Sequence, residues 1–201
     1  MTPIDPASTA GASVGLKRTA RGHAESFRPG ANWSAVKGKL SALPRAALVA
    51  LARDLYRASP ENRRFLHARL LGPAVEIAKY RELVREAIYP DAFSRRSVRL
   101  GEAQRLIRHY RQATGDLSGT LDLLLTFVEA GAEQAAVLGY GDDPYFVALE
   151  RALDEAVEIG QTLSGPAHRE FVGRARTLAE RASVVGWGFG DYFVDVAAGL
   201  A

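Results

Sequence analysis

The sequence predicts an all-α protein, a single-domain array of about eight or nine antiparallel helices, and three observations carry that reading. From Trp33 onward the apolar residues recur at helical spacing almost without a break. No window shows the sustained alternation of β-branched residues that would mark a strand. Helix punctuation recurs at Ser59-Pro60, Gly72-Pro73, Asp143-Pro144 and Gly165-Pro166. In each pair a capping side chain or a terminating glycine precedes a proline, whose missing N–H costs nothing in the first turn of a helix.

Residues 1–30 mix Pro, Gly, Ser, Thr and isolated charges with no apolar period. They bury too little surface to offset the entropy of ordering and are expected to form a flexible N-terminal arm. The arm lacks the apolar stretch of a secretory signal; its Ser/Ala/Arg-rich composition leaves an organellar transit peptide as the minor alternative.

Residues 31–201 are expected to form one all-helical domain, with helices at about 33–42, 44–58, 60–71, 73–89, 100–113, 118–138, 144–163, 166–184 and 189–199. Leu48, Leu51 and Leu55 share one face of the second helix, and Leu106, Ile107 and Tyr110 one face of the fifth. The sixth, with "LDLLLTFVEAGAEQAAVL", is apolar nearly all round and is expected at the centre of the array. Its polar residues Asp122, Thr126, Glu129 and Glu133 form a single narrow stripe. No period of 20–50 residues repeats convincingly, so a helical-repeat solenoid survives only as a loose variant.

The absence of cysteine excludes disulfides and thiolate metal sites and fits a reducing compartment, with the cytoplasm as the expected location. No run of 18 or more apolar residues is present, so no membrane span is expected. The net charge of +3 conceals an asymmetry. Residues 1–111 hold 21 Lys/Arg against 9 Asp/Glu, a net of +12, while residues 112–201 hold 5 against 14, a net of −9. Such a chain either steers a polyanion to one end or pairs its two ends internally, and internal pairing is the favoured reading.

The strongest functional lead is arginine. Arg95, Arg96 and Arg99 precede a helix carrying Arg105, Arg108 and Arg111 along a ridge, with Tyr110 between, and Arg63, Arg64 and Arg69 add a second cluster. This ridge is a candidate ligand or partner surface, able to contact phosphates together with Lys17, Arg18 and Arg21 of the arm. A solvated face turned toward the acidic half is the plainer alternative. Glu129 and Glu133, one turn apart, define a candidate polar pocket with Trp187 and Asp191, suited to acid–base work if the carboxylates are free. Carboxylate metal sites in helix bundles add a Glu-x-x-His element, which this chain lacks, so no metal is expected; carboxylates met by arginines from the basic half are favoured instead.

The run "GWGFGDYFVD" at 186–195 spaces Gly186, Gly188 and Gly190 without the strand that a dinucleotide fingerprint needs. It reads as close helix packing, with Trp187 and Phe189 covering the core and Asp191 at a helix start. His23, His67, His109 and His168 have no partner at metal-ligand spacing and are expected as surface or packing residues.

Five pieces, "LYRASPENRRFLHARL" at 55–70, "AIYP" at 87–90, "FVEAGAE" at 127–133, "YGDDPYFVALE" at 140–150 and "GWGFGD" at 186–191, make the chain similar to an uncharacterised bacterial all-helical family, a domain of unknown function. The resemblance spans roughly residues 43–196 and implies an all-helical body with no established activity. It carries over no catalytic residue. A polar residue, often histidine, is implied at the position of Gly190, where this chain departs from the pattern. The expected role is that of a non-catalytic interaction module with a protein partner and no cofactor. Nucleic-acid association through the Arg-rich half is the alternative, and an enzyme built on Glu129 and Glu133 a third reading.

Overall fold

A computed structural model of the chain describes residues 32–90, 97–139, 141–182 and 189–200. Among the described residues the structure is all-helical, with α1 (Trp33–Ser41), α2 (Arg45–Ala58), α3 (Pro60–Leu71), α4 (Pro73–Ile88), α5 (Leu100–Thr114), α6 (Leu117–Leu138), α7 (Asp143–Thr162), α8 (Gly165–Ala182) and α9 (Phe189–Ala198). The predicted arm, and Gly186, Trp187 and Gly188 of the glycine-aromatic run, lie outside the described residues.

The helix ends follow from local chemistry. The Ser59 hydroxyl accepts from the Asn62 N–H at 3.1 Å, and the Asn62 amide donates to the Leu55 carbonyl at 2.9 Å, so one short motif closes α2 and opens α3. At α7 the cap is Asp142 rather than Asp143: its carboxylate accepts from the Tyr145 N–H at 3.0 Å, and Asp143 becomes a first-turn acid beside the positive end of the helix dipole.

The described helices divide into two units between Leu48 and Val49, with the boundary inside α2. In the first, the Asn32 side chain caps α1 by accepting from the Ala35 N–H at 3.0 Å, and no residue of α1 is buried. Neither is any residue of α2. Leu48, Leu51 and Leu55 are 39%, 38% and 50% exposed, so their periodicity marks a helix but not a core face.

In the second unit α6 is the central helix, packed by α4, α5, α7 and α8. Leu123, Leu125, Phe127 and Val128 are fully enclosed, and around them lie Tyr80 and Val84 of α4, Ile107 and Tyr110 of α5, Leu149 and Leu153 of α7, Phe171 of α8 and Phe193 of α9. The predicted faces of α5 and α6 are therefore core faces. Glycines permit close helix approaches: a Cβ at Gly131 would collide with Leu149 of α7, and one at Gly160 with the Phe171 ring of α8. Tyr145 satisfies its buried hydroxyl by donating to the Gly131 carbonyl at 2.8 Å. No helix among the described residues is long and apolar enough to cross a membrane.

Candidate functional site

The polar stripe of α6 is covered by arginines from both sides. The Arg174 Nε and Nη2 donate to the two Glu129 oxygens, each at 2.9 Å, while its Nη1 reaches Asp122 at 2.6 Å. Arg81 of α4 donates to the same Asp122 from Nε at 3.0 Å and Nη2 at 2.6 Å, and Arg85 pairs with Glu133 at 2.7 Å. Burial alone would lower the Arg174 pKa, but its hydrogen bonds and attraction to Glu129 and Asp122 outweigh that cost and hold it above the ordinary value. Glu129 and Glu133 border a cleft of about 270 Å³ that Arg85 and Arg181 also line. Each carboxylate already accepts a charged hydrogen bond, which leaves neither free as a general base in this arrangement. Asp191 is exposed in the first turn of α9 and is not among the residues lining that cleft; Trp187 lies outside the described residues.

The arginine ridge separates into three groups. Arg95 and Arg96 lie outside the described residues. Arg99, at the N-cap of α5, pairs with Glu102 in the first turn of that helix at 2.8 Å, and Arg111 pairs with Glu155 of α7 at 2.5 Å. Tyr110 leaves the surface altogether, because it is fully buried and donates to Asp116 at 2.8 Å; burial and that carboxylate push its phenol far above the ordinary range. Arg105 and Arg108 are exposed and make no ion pair among the described residues.

These two arginines border a cleft of about 510 Å³ between α3 and α5, completed by Glu61, Arg64, His109 and Gln112, with Glu102 and Leu106 also in its lining. Spacing explains the convergence: Arg105, Arg108, His109 and Gln112 fall on one face of α5, and Glu61 and Arg64 one turn apart on α3. Beside the cleft, the fully buried Tyr80 of α4 hydrogen-bonds the His109 Nδ1 at 2.8 Å. Burial pushes the Tyr80 phenol up to about 12, so near neutral pH it keeps its proton. Burial, followed by the Arg64 charge, lowers the His109 pKa. The Arg64 Nε is buried and has no hydrogen-bond partner among the described residues. A buried N–H of this kind costs free energy until an acceptor reaches it.

Pattern reading also missed a hydrogen-bond relay through His67. Its Nδ1 lies 2.8 Å from the largely buried Glu76 and its Nε2 3.0 Å from the Tyr56 hydroxyl, with the Arg63 guanidinium 5.3 Å from the centre of the Tyr56 ring. A carboxylate at Nδ1 makes that nitrogen the donor. The relay joins α2, α3 and α4, and residue separations of 11 and 9 gave no local signal for it. The sequence further holds one Gly-x-Ser-x-Gly run, "GASVG" at 11–15, which lies outside the described residues. Among the described residues no three His, Asp or Glu side chains converge closely enough to hold a metal ion.

The chain matches no protein-family model, no curated protein and no solved structure. That outcome is consistent with an uncharacterised family. The described pieces behind the resemblance sit at structural joints: Ser59 at the α2–α3 corner, Arg64 and His67 on α3, Gly131 at the α6–α7 approach and Asp142 at the α7 cap.

Proposed function

We propose that the protein is a non-catalytic binding module of the cytoplasm whose α3/α5 cleft holds an anionic group of its ligand or partner. One observation carries this reading: Arg64, Arg105 and Arg108 share a concave site without an ion pair among the described residues, whereas Arg81, Arg85, Arg99, Arg111 and Arg174 each have a carboxylate. Of the two acids in the cleft, Glu102 is engaged by Arg99, so positive charge exceeds negative there. The volume suits a small molecule or one side chain of a docked segment. Against catalysis stands the arginine pairing of Glu129 and Glu133.

Calorimetric titration with inorganic phosphate and with citrate tests the reading. Binding by the wild type should weaken at least tenfold in the Arg105→Ala/Arg108→Ala double variant. If neither anion binds, or the double variant binds both equally well, the cleft is not the site. A single-stranded oligonucleotide that binds more tightly than either small anion, with affinity falling steeply as salt rises, would move the assignment to nucleic acid.

A further inference from the structure

A cationic cleft alone does not distinguish a carboxylate from a phosphate; the donor arrangement does. The Arg64 charge acts on the Tyr80 hydroxyl, which lies 2.8 Å from the His109 Nδ1; a phenol that donates there makes Nδ1 the acceptor. Donation in that sense sets the imidazole tautomer. With Nδ1 an acceptor, Nε2 carries the proton and is the ring donor available to the cleft, without the ring being charged. The lining therefore offers three guanidinium groups and one neutral N–H, drawn from two helices. A carboxylate is satisfied by one planar fork, whereas a tetrahedral phosphate presents three terminal oxygens to donors arriving from several directions.

The rest of the lining has a different chemistry. Glu61 is exposed in the first turn of α3 and has no ion pair among the described residues, and Gln112 is the last residue of the α5 segment lining the cleft. A carboxylate and a carboxamide accept from hydroxyls, and the carboxylate repels a second phosphate. Leu106 supplies one apolar contact.

We infer that the α3/α5 cleft takes a phosphomonoester of a small hydroxyl-bearing molecule, its phosphate held by Arg64, Arg105, Arg108 and the His109 Nε2–H and its hydroxyls by Glu61 and Gln112. The inference rests on the anion-binding reading and adds the ligand class to it.

The probes are ribose 5-phosphate, inorganic phosphate, gluconate and a single-stranded oligonucleotide, each titrated into the full chain by calorimetry at pH 7.5. Ribose 5-phosphate is expected to bind at least tenfold more tightly than the other three. Glu61→Gln should lower its affinity several-fold while leaving inorganic phosphate within a factor of two, because only the sugar hydroxyls use that carboxylate. His109→Gln should preserve more affinity than His109→Leu, because only the amide replaces the donor. Equal affinity for ribose 5-phosphate and inorganic phosphate, or tighter binding of gluconate, would overturn the ligand class while leaving the anion site intact. A tighter oligonucleotide would overturn it in favour of nucleic acid, and no binding of any probe would remove both proposals. Loss of binding in a variant counts only with an unchanged circular-dichroism spectrum and melting transition; if either His109 variant unfolds, the Glu61→Gln comparison alone decides between hydroxyl recognition and simple phosphate capture.

Discussion

Two arginine-rich regions of this protein resemble each other in composition and differ in bookkeeping of charge. Over the polar stripe of α6, Arg81, Arg85 and Arg174 are matched to Asp122, Glu129 and Glu133. Along the α3/α5 cleft, Arg64, Arg105 and Arg108 face one ion-paired acid and one exposed acid. Matched charges tie helices together; unmatched ones in a concavity are available to something else. Composition cannot tell these cases apart, since the partner in the first region comes from 41 to 52 residues away.

The largest effect should come from the matched region. Arg174→Met strips Glu129 of both its charged hydrogen bonds and leaves Asp122 to Arg81 alone. The Arg174, Asp122 and Glu129 side chains retain 25%, 20% and 32% of their exposure, so water softens the loss and it should fall at or below the lower end for broken buried pairs, about 2–3 kcal/mol in urea denaturation. Arg105→Met, with no partner to strand, should stay within about 0.5 kcal/mol. Equal losses at the two positions would erase the distinction between the regions.

Next comes the response to pH, where the cleft should show a signature of its own. The His109 pKa is lowered in the folded protein by burial and then by Arg64, so the unfolded chain takes up a proton first as pH falls. Stability from this group is complete above the ordinary value of 6.5 and is lost as pH drops through it toward the folded pKa. Sulfate, whose charge is constant over this range, should oppose the trend by offsetting the Arg64 charge. The melting-temperature gain from sulfate is thus expected to grow from pH 7.5 to 6.0 in the wild type and to be flat in His109→Gln. A gain independent of pH in both would show that the imidazole does not face the bound anion. The groups that set the baseline are Tyr80 of α4, Arg64 and Glu61 of α3, and Glu102, Arg105 and Arg108 of α5.

How far these regions were readable from sequence follows from the range of each interaction. Helix limits are local, and Ser59, Gly72 and Gly165 announced them; the slip from Asp143 to Asp142 arose because either carboxylate could have capped α7 and only backbone geometry chooses. The Arg99–Glu102 pair was legible as an i, i+3 spacing. Tyr110 was legible too: it shares the apolar face of Ile107 and Leu106, and that period should have outweighed its place among arginines. By contrast Arg111–Glu155 and Tyr80–His109 join residues 44 and 29 apart, and no local pattern encodes them. The same limit explains α2, whose leucine stripe has helical periodicity yet meets no core. The stretches carrying Arg95, Arg96 and Trp187 lie outside the described residues.

The smallest effect tests whether depth, rather than pairing alone, separates a bracing arginine from a surface one. Arg85 and Glu133 pair at 2.7 Å with side chains 47% and 43% exposed, against 25% for Arg174. Water and salt screen such a pair, and holding two long side chains together costs rotamer entropy, so Arg85→Ala should lose only about 0–1 kcal/mol. Part of even that belongs to the guanidinium stacked 5.6 Å from the centre of the Tyr89 ring. Repeating the urea denaturation of Arg85→Ala and Arg174→Met in 0.5 M sodium chloride should shrink the first difference toward zero and leave most of the second. Equal shrinkage would mean that the α6 stripe is a screened surface throughout, with its arginines no more structural than those of the cleft.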